Sequence, residues 1–392
     1  MGKITAFRGL NLVDDPLRLD LDWLVQADNV DITDTGGITK RDGYALSLAG
    51  AFTGAFSTKD FARMYVVDGG ALKAMTGPTS ATTLRTGLSS ASMYWAEINQ
   101  QIYYNNGVDS GIIAPDSRLL DWSWPVPGTP TLIAVTGTLA PGQYRVACTY
   151  VLADGRETGS GDFAQLTLGE GQALQISDIP QVAGLFTRVY IAPADSAVYQ
   201  LARSGTFAAT VWNQSPDYLG VELSTPFYAP LPSACDVIQA WRGRLHAAMF
   251  MASQSQTVVW RSRPLGYHLF DLKQDYIMVP GRVLALAPHD TALVIGTDKA
   301  IFAYDGKALV QLADYGVVSG LCWDTDKTEQ GAENLLLWTQ RGLCRFPNFE
   351  NLTAAHVSVA PGIRAGAAVI AANGQKKFLV ALQQGGSAFN AR

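Results

Sequence analysis

The chain has 392 residues, too many for one ordinary β-sandwich, with 16% charged residues, 48% hydrophobic residues and 38 glycines. Few charges, many glycines and abundant strand formers point to an all-β chain with tight turns, one that could bury surface in an assembly. The net charge of −5, with no basic stripe beyond the isolated WRGRLH at 241–246 and WRSR at 260–263, argues against a nucleic-acid binder.

Residues 1–45 read as an extended leading arm. Alternating Leu and Asp around Pro16 give no helical stripe. Ala27-Asp-Asn-Val-Asp-Ile reads as a strand, Thr35-Gly36-Gly37 as a turn and Ile38-Thr-Lys-Arg as the return strand. Such an arm could pack on its own domain or reach a neighbouring subunit.

Residues 46–128 form a meander with strand candidates AFTGAFS, ARMYVVD, GALKAM, TTLRTG, SMYWAEI and QIYYNN. Its turns are Asp68-Gly69-Gly70, Asn99-Gln100 and Asn105-Asn106-Gly107. That is about two four-stranded units. A Trp/Pro-rich linker, Trp122-Ser-Trp-Pro-Val-Pro-Gly-Thr-Pro, then changes the composition. Residues 129–227 carry strands of five to eight residues between regular turns, including the hairpin TYVLADGRETG with Asp154-Gly155 at its tip. This pattern predicts an immunoglobulin- or fibronectin-like sandwich, ending in a second proline-rich linker at 226–232.

The meander resumes over 228–392. Within 283–312, ALVIGT, AIFAY and ALVQL are separated by DK, DG and GK, a run of short strands with turn chemistry between them. The apolar runs centred on Val259, Ile301 and Leu343 fall 42 residues apart, 301 less 259 and 343 less 301. TDKAIFAY at 297–304 overlies TQRGLCRF at 339–346 in register. A spacing near 42 is the size of one propeller blade, about 40–50 residues. The predicted architecture is therefore a β-propeller of about five to seven blades, interrupted by the sandwich. Ring closure would use both chain ends, so the N-terminal strands are expected to complete the last blade.

Chemistry-bearing motifs are sparse. The four cysteines Cys148, Cys235, Cys322 and Cys344 lie far apart in apolar runs and read as buried free thiols. His246, His268, His289 and His356 show no metal-ligand spacing and read as structural or surface residues. Thr158-Gly159-Ser160-Gly161 falls short of a serine elbow, and with no following helix or lysine it cradles no phosphate. A propeller glycosidase would aim carboxylates into its central channel. Glu97, Glu222, Glu329 and Glu333 are the candidates, none placed by a motif. Asp324, Asp326 and Glu329 alternate in the manner of a Ca²⁺ loop but lack its glycine and spacing, so a solvated loop is the simpler reading. Tyr103, Tyr104, Trp241, Trp260, Trp323 and Trp338 alternate as strand residues do and read mostly as core, with a sugar-stacking platform as the sharper alternative. No catalytic, cofactor-binding or metal site is expected. Asn213-Gln-Ser and Asn351-Leu-Thr fit the glycosylation pattern, which has meaning only with secretion. MGKITAFRGL shows no signal-peptide core and no run of about 18 apolar residues occurs, so no helical membrane span and folding in a reducing cytoplasm are expected.

Three stretches carry a family resemblance. They are GLNLVDDPLRL…ADNVDITDTGGITKRDGY at 9–44, GQYRVACTYVLADGRETG at 142–159 with TRVYIAPADSAVYQLAR at 187–203, and the run from IQAWRGRLHAAM to IGTDKAIFAYDG at 238–306. In that order they resemble the tail nozzle or tail-hub β-propeller proteins of tailed bacteriophages. The resemblance covers about half of the chain. It implies a non-enzymatic virion tail protein that folds in the host bacterial cytoplasm. Such a protein would form a homo-oligomer, often a hexameric ring, below the portal or its adaptor. It would extend the channel through which DNA leaves without specific binding, and offer docking surfaces to fibres and other tail proteins. This chain is shorter than many nozzles, which favours a simpler hub. The alternative is a carbohydrate-binding or glycan-degrading tail-associated propeller, with a cleft of paired carboxylates or stacked aromatics. A peptide-binding scaffold propeller accounts least well for the arm and the inserted segment.

Overall fold

The computed structural model describes residues 4–33, 35–41, 43, 45–327, 331, 333–372 and 375–384, with the backbone alone at 327, 372 and 375. The chain is all-β, built of many small sheets. No helix is long and apolar enough to cross a membrane among these residues.

The dominant unit is the antiparallel meander. A first sheet comprises Phe52–Ser57, Met64–Asp68, Ala71–Gly77 and Ser80–Arg85 in chain order, and a second comprises Tyr94–Ile98, Gln101–Asn105, Ser110–Ile113 and Leu119–Leu120. A third sheet runs from Val237–Trp241 through Arg244–Met251 to Gln256–Arg263, which pairs with both Gly266–Phe270 and Tyr276–Pro280. The fourth is Val283–Pro288, Leu293–Thr297, Ile301–Tyr304 and Leu309–Ala313, and the fifth is Trp323–Lys327, Glu333–Thr339, Gly342–Phe346 and Glu350–Asn351. A sixth, three-stranded sheet pairs Arg364–Ala372 with Gln375–Gln383 and adds Ser319–Leu321 in parallel.

Strand alternation packs these sheets face to face. In the fourth sheet Leu293 and Ile295 point toward the third, in one core with Val259, Ile277 and Val279. Val294, between them, points the other way, in a core with Leu335, Leu337 and Trp338 of the fifth. Both faces are buried, so LVIGT reads as a continuous apolar run instead of an alternating one. The second sheet does the same: Ile102 and Tyr104 join Tyr65 and Leu72 of the first sheet, and Tyr103 joins Ile238 and Leu245 of the third. Between sixth and first, Arg364 Nη2 donates to the Thr53 carbonyl at 3.3 Å.

The 42-residue repeat has a structural meaning. Val259, Ile301 and Leu343 each lie on the third strand of their sheets. The shared Thr at 297 and 339 ends the second strand and holds the turn. Thr297 Oγ1 donates to the Ala300 carbonyl and accepts from the Lys299 amide, while Thr339 Oγ1 donates to Gly342 and accepts from Arg341.

Between the second and third meander sheets lie two sheets facing across a core of their own. Thr131–Thr136, Gln172–Ser177 and Thr210–Trp212 form one; Ala164–Leu168, Gly142–Val151, Phe186–Ala192 and Gln200–Gly205 form the other. Tyr144, Val146, Leu174, Ile176, Val189, Ile191 and Trp212 fill the space between them. The turn at Asp154-Gly155 closes as expected, with Gly155 N–H on the Leu152 carbonyl.

The arm departs from expectation. Among the described residues its strands pair with each other and join no meander sheet: Gly9–Leu10 runs parallel to Trp23–Leu24, and Val30–Ile32 pairs with Ile38–Lys40. The last strands of the chain find a partner instead in Ser319–Leu321, inside the chain. The arm is nonetheless tethered to the C-terminal region. Leu12 N–H donates to the His356 carbonyl, Trp23 packs on the His356 ring at 4.5 Å, and Lys377 Nζ lies 2.6 Å from Asp31.

Candidate functional site

The first strands of the meander sheets converge on one cavity of 830 Å³. It takes Phe56 and Ser57 from the first sheet with Lys59 just beyond, Trp95 and Glu97 from the second, and Gln239 and Trp241 from the third with Arg242 in the following turn. The fourth sheet gives Pro288, His289 and Asp290, the fifth Trp323, Asp324, Thr325 and Glu333, and the sixth Ala367. Residues two apart on a strand share a face, which is why Trp95 and Glu97, and Gln239 and Trp241, reach it together.

Several of these polar groups are already committed to holding sheets together. Arg242 donates to the carbonyls of Asp305 at 2.6 Å, Thr291 at 3.1 Å and Asp290 at 3.2 Å, and its guanidinium lies 4.4 Å from the Trp241 ring. Trp241 Nε1 donates to the His289 carbonyl. His289 Nδ1 accepts from Thr291 N–H, which leaves the Nε2 proton to donate to the Glu333 carbonyl at 3.0 Å. Both of its nitrogens are therefore engaged, and this histidine is a strut between sheets. Asp324 Oδ2 accepts from Val369 N–H at 2.7 Å and ties the fifth sheet to the sixth. Glu97 accepts from Lys59 N–H at 3.3 Å and lies 3.9 Å from Arg63.

Other groups remain open. The side chains of Glu333, Gln239, Asp290 and Lys59 make no hydrogen bond or ion pair with the described residues. They face the cavity beside Phe56, Trp241 and Trp323, so the wall alternates aromatic surface with unpaired donors and acceptors.

Of the four carboxylates singled out by sequence, Glu97 and Glu333 meet in this cavity. Glu222 lies elsewhere, bridging to Gln200, and Glu329 lies outside the described residues. The alternating acids do not converge: Asp324 holds Val369, whereas Asp326 pairs with Lys376 at 2.7 Å. Among the described residues no group of side chains is arranged to hold a metal ion. Lys59, Gln239 and Asp290 carried no sequence signal of their own. Three of the first strands bring a tryptophan next to or two residues from a polar residue (YWAEI, VIQAW, WDTDK), a recurrence that the repeat could have exposed.

The remaining sequence candidates are structural. Thr158 and Ser160 are buried, and a Cβ on Gly159 would lie 1.7 Å from the Tyr228 carbonyl oxygen. One on Gly161 would lie 2.2 Å from that of Pro127. This loop is wedged between the two linkers. His268 bonds to the Glu157 carbonyl beside it. Tyr103, Tyr104 and Trp338 are core residues, and Trp260 Nε1 donates to the Leu272 carbonyl. The four cysteines are free and buried, and burial pushes the Cys148 and Cys322 thiols up to about 12, far from any reactive thiolate. Asn213 and Asn351 both use their side-chain oxygens on neighbouring backbone amides.

No protein-family model matches the chain, and no curated protein does. Among solved structures it is similar to the extracellular domain of a hybrid two-component system from B. thetaiotaomicron, at 12% identity and a TM-score of 0.31 over 80% of this chain and 33% of that one. The chain thus spans about a third of that relative's length. It is also similar to BBS1N in complex with ARL6DN, at 11% identity and a TM-score of 0.33 over 81% and 83% of the two chains. A third similarity is to a catalytically inactive virginiamycin B lyase from Staphylococcus aureus with quinupristin, at 9% identity and a TM-score of 0.25 over 75% and 93%. Likeness at this level assigns no function.

Proposed function

We propose that the chain is a β-propeller with an inserted immunoglobulin-like sandwich, and that it serves as a non-enzymatic structural subunit of a bacteriophage tail. In this reading it assembles into a homo-oligomeric ring, docks on a portal or adaptor and on other tail proteins, and lets DNA pass without specific binding. The six meander sheets, with first strands gathered at one cavity, support the propeller part of the reading.

The observation that carries the assembly is the arm. Leu17 is 94% exposed and Leu21 77%, with Leu12, Val13 and Val25 also exposed. Burying one such side chain contributes about 1.5–3 kcal/mol. A tethered segment that leaves this much apolar surface in water is suited to a partner, and a ring of copies supplies one by symmetry. Negative-stain microscopy of the concentrated full chain tests the proposal. Closed rings are expected, and a field of isolated single subunits overturns it. A second reading, a carbohydrate-binding propeller, is favoured by one observation: the cavity carries both carboxylates and aromatic faces.

A further inference from the structure

We propose that the central cavity is a saccharide-binding site for a neutral pyranoside, a function separate from assembly. Its volume of 830 Å³ lies within the range of about 300–1,000 Å³ typical of small-molecule sites. The wall presents two kinds of surface that a sugar needs together. Trp323, half-buried and stacked by no ring or cation among the described residues, offers flat apolar area to the C–H face of a pyranose ring, while Trp241 is buried beneath the Arg242 guanidinium and only closes the wall. The unpaired Glu333 carboxylate accepts hydrogen bonds from sugar hydroxyls, and the Gln239 amide both donates and accepts.

The charge balance selects a neutral ligand. The Arg242 guanidinium is consumed by three backbone carbonyls, and Glu97 faces Arg63. Bonds to carbonyls leave Arg242 charged, so the lining sets Lys59 and Arg242 against Glu97, Asp290, Asp324 and Glu333, a net of −2 that repels a phosphate group. Asp324 is turned to the Val369 and Thr325 amides and Glu97 to Arg63, which leaves no carboxylate cluster for a strongly cationic ligand. The site is contributed by strands from all six meander sheets of a single chain, so it needs no second copy.

The test is calorimetric titration of the full chain with cellobiose and with N,N′-diacetylchitobiose, using choline as the cationic control. At least one disaccharide is expected to bind, and Glu333→Gln, nearly isosteric, is expected to weaken it about tenfold, the loss of one charge-assisted hydrogen bond. Trp323→Ala should weaken it further, with circular dichroism confirming that the variant stays folded. Arm variants such as Leu17→Ser should leave the affinity unchanged, so a failure of assembly and a failure of sugar binding read separately. No heat with either disaccharide up to about 10 mM, near the weakest affinity worth calling specific, overturns the proposal. So does binding that both cavity variants leave intact, or tighter binding of choline.

Discussion

The fourth meander sheet and the N-terminal arm use similar residues to opposite ends. In the sheet, Leu293, Val294 and Ile295 send side chains alternately to two neighbouring sheets, and all three are buried. In the arm, Leu17 and Leu21 sit among Asp15, Asp20 and Asp22, pair with no sheet partner of their own, and stay in water. The arm is held by a two-residue parallel pairing, by its own hairpin of Val30–Ile32 with Ile38–Lys40, by the His356 contact and by the Asp31–Lys377 pair, whose ammonium holds the Asp31 carboxyl below its ordinary range, but none of these covers Leu17 or Leu21. A chain that packs its repeats on both faces does not lack the means to bury leucine. In the proposed assembly the arm's exposed leucines would meet a surface outside the subunit.

The sharpest way to break this contrast is to weaken both regions and compare. Ile295→Ala removes a fully buried side chain between two sheets and should cost about 2–5 kcal/mol, seen as a lower denaturant midpoint. If that loss were absent, the sheet would not be the close-packed region it is taken for.

Acidification probes the same interior. His246 on the third sheet is buried, sits 5.6 Å from the Trp241 ring and is held down to about 3, first by burial and then by Arg261. Its folded-state value lies below the ordinary 6.5, so between about pH 6.5 and 3 the unfolded chain binds more protons. The neutral ring's contribution is complete above pH 6.5 and is lost as pH falls below it, by about 2 kcal/mol at pH 5. Unfolding midpoints at pH 7 and pH 5 should diverge in the parent chain and diverge less in His246→Leu. Equal slopes in the two would contradict the assignment.

The smallest effect on stability is expected in the arm. Leu17→Ser with Leu21→Ser should change the unfolding free energy of the subunit by less than about 0.5 kcal/mol, as exposed positions do. The same pair should shift association toward the monomer, so the two regions would differ in which equilibrium a mutation moves.

The sequence made the sheets legible where local chemistry repeats. The stretch 283–312 reads as strands because its polar pairs fall at turns, and Thr297 and Thr339 show one turn device used twice. The all-β class followed from the same pattern. What stayed hidden depends on distant residues. Glu97 was visible only as an unplaced acid, and Lys59, Gln239 and Asp290 had nothing local to mark them. They reach one cavity because each lies at or near the first strand of a different sheet, an arrangement that no short window contains. The parallel addition of Ser319–Leu321 to Arg364–Ala372 was hidden for the same reason, since its partners are about 45 residues apart and share no turn. Thr158-Gly159-Ser160-Gly161 looked like a site because small residues can expose a nucleophile. Here they let two linkers approach.

The native mass of the full chain at high concentration, by sedimentation or mass spectrometry, tests the central claim most directly. The account predicts a multiple of 42.0 kDa that falls toward one subunit when Leu17 and Leu21 are both replaced by serine. A mass of 42.0 kDa for the parent chain at every concentration would contradict it.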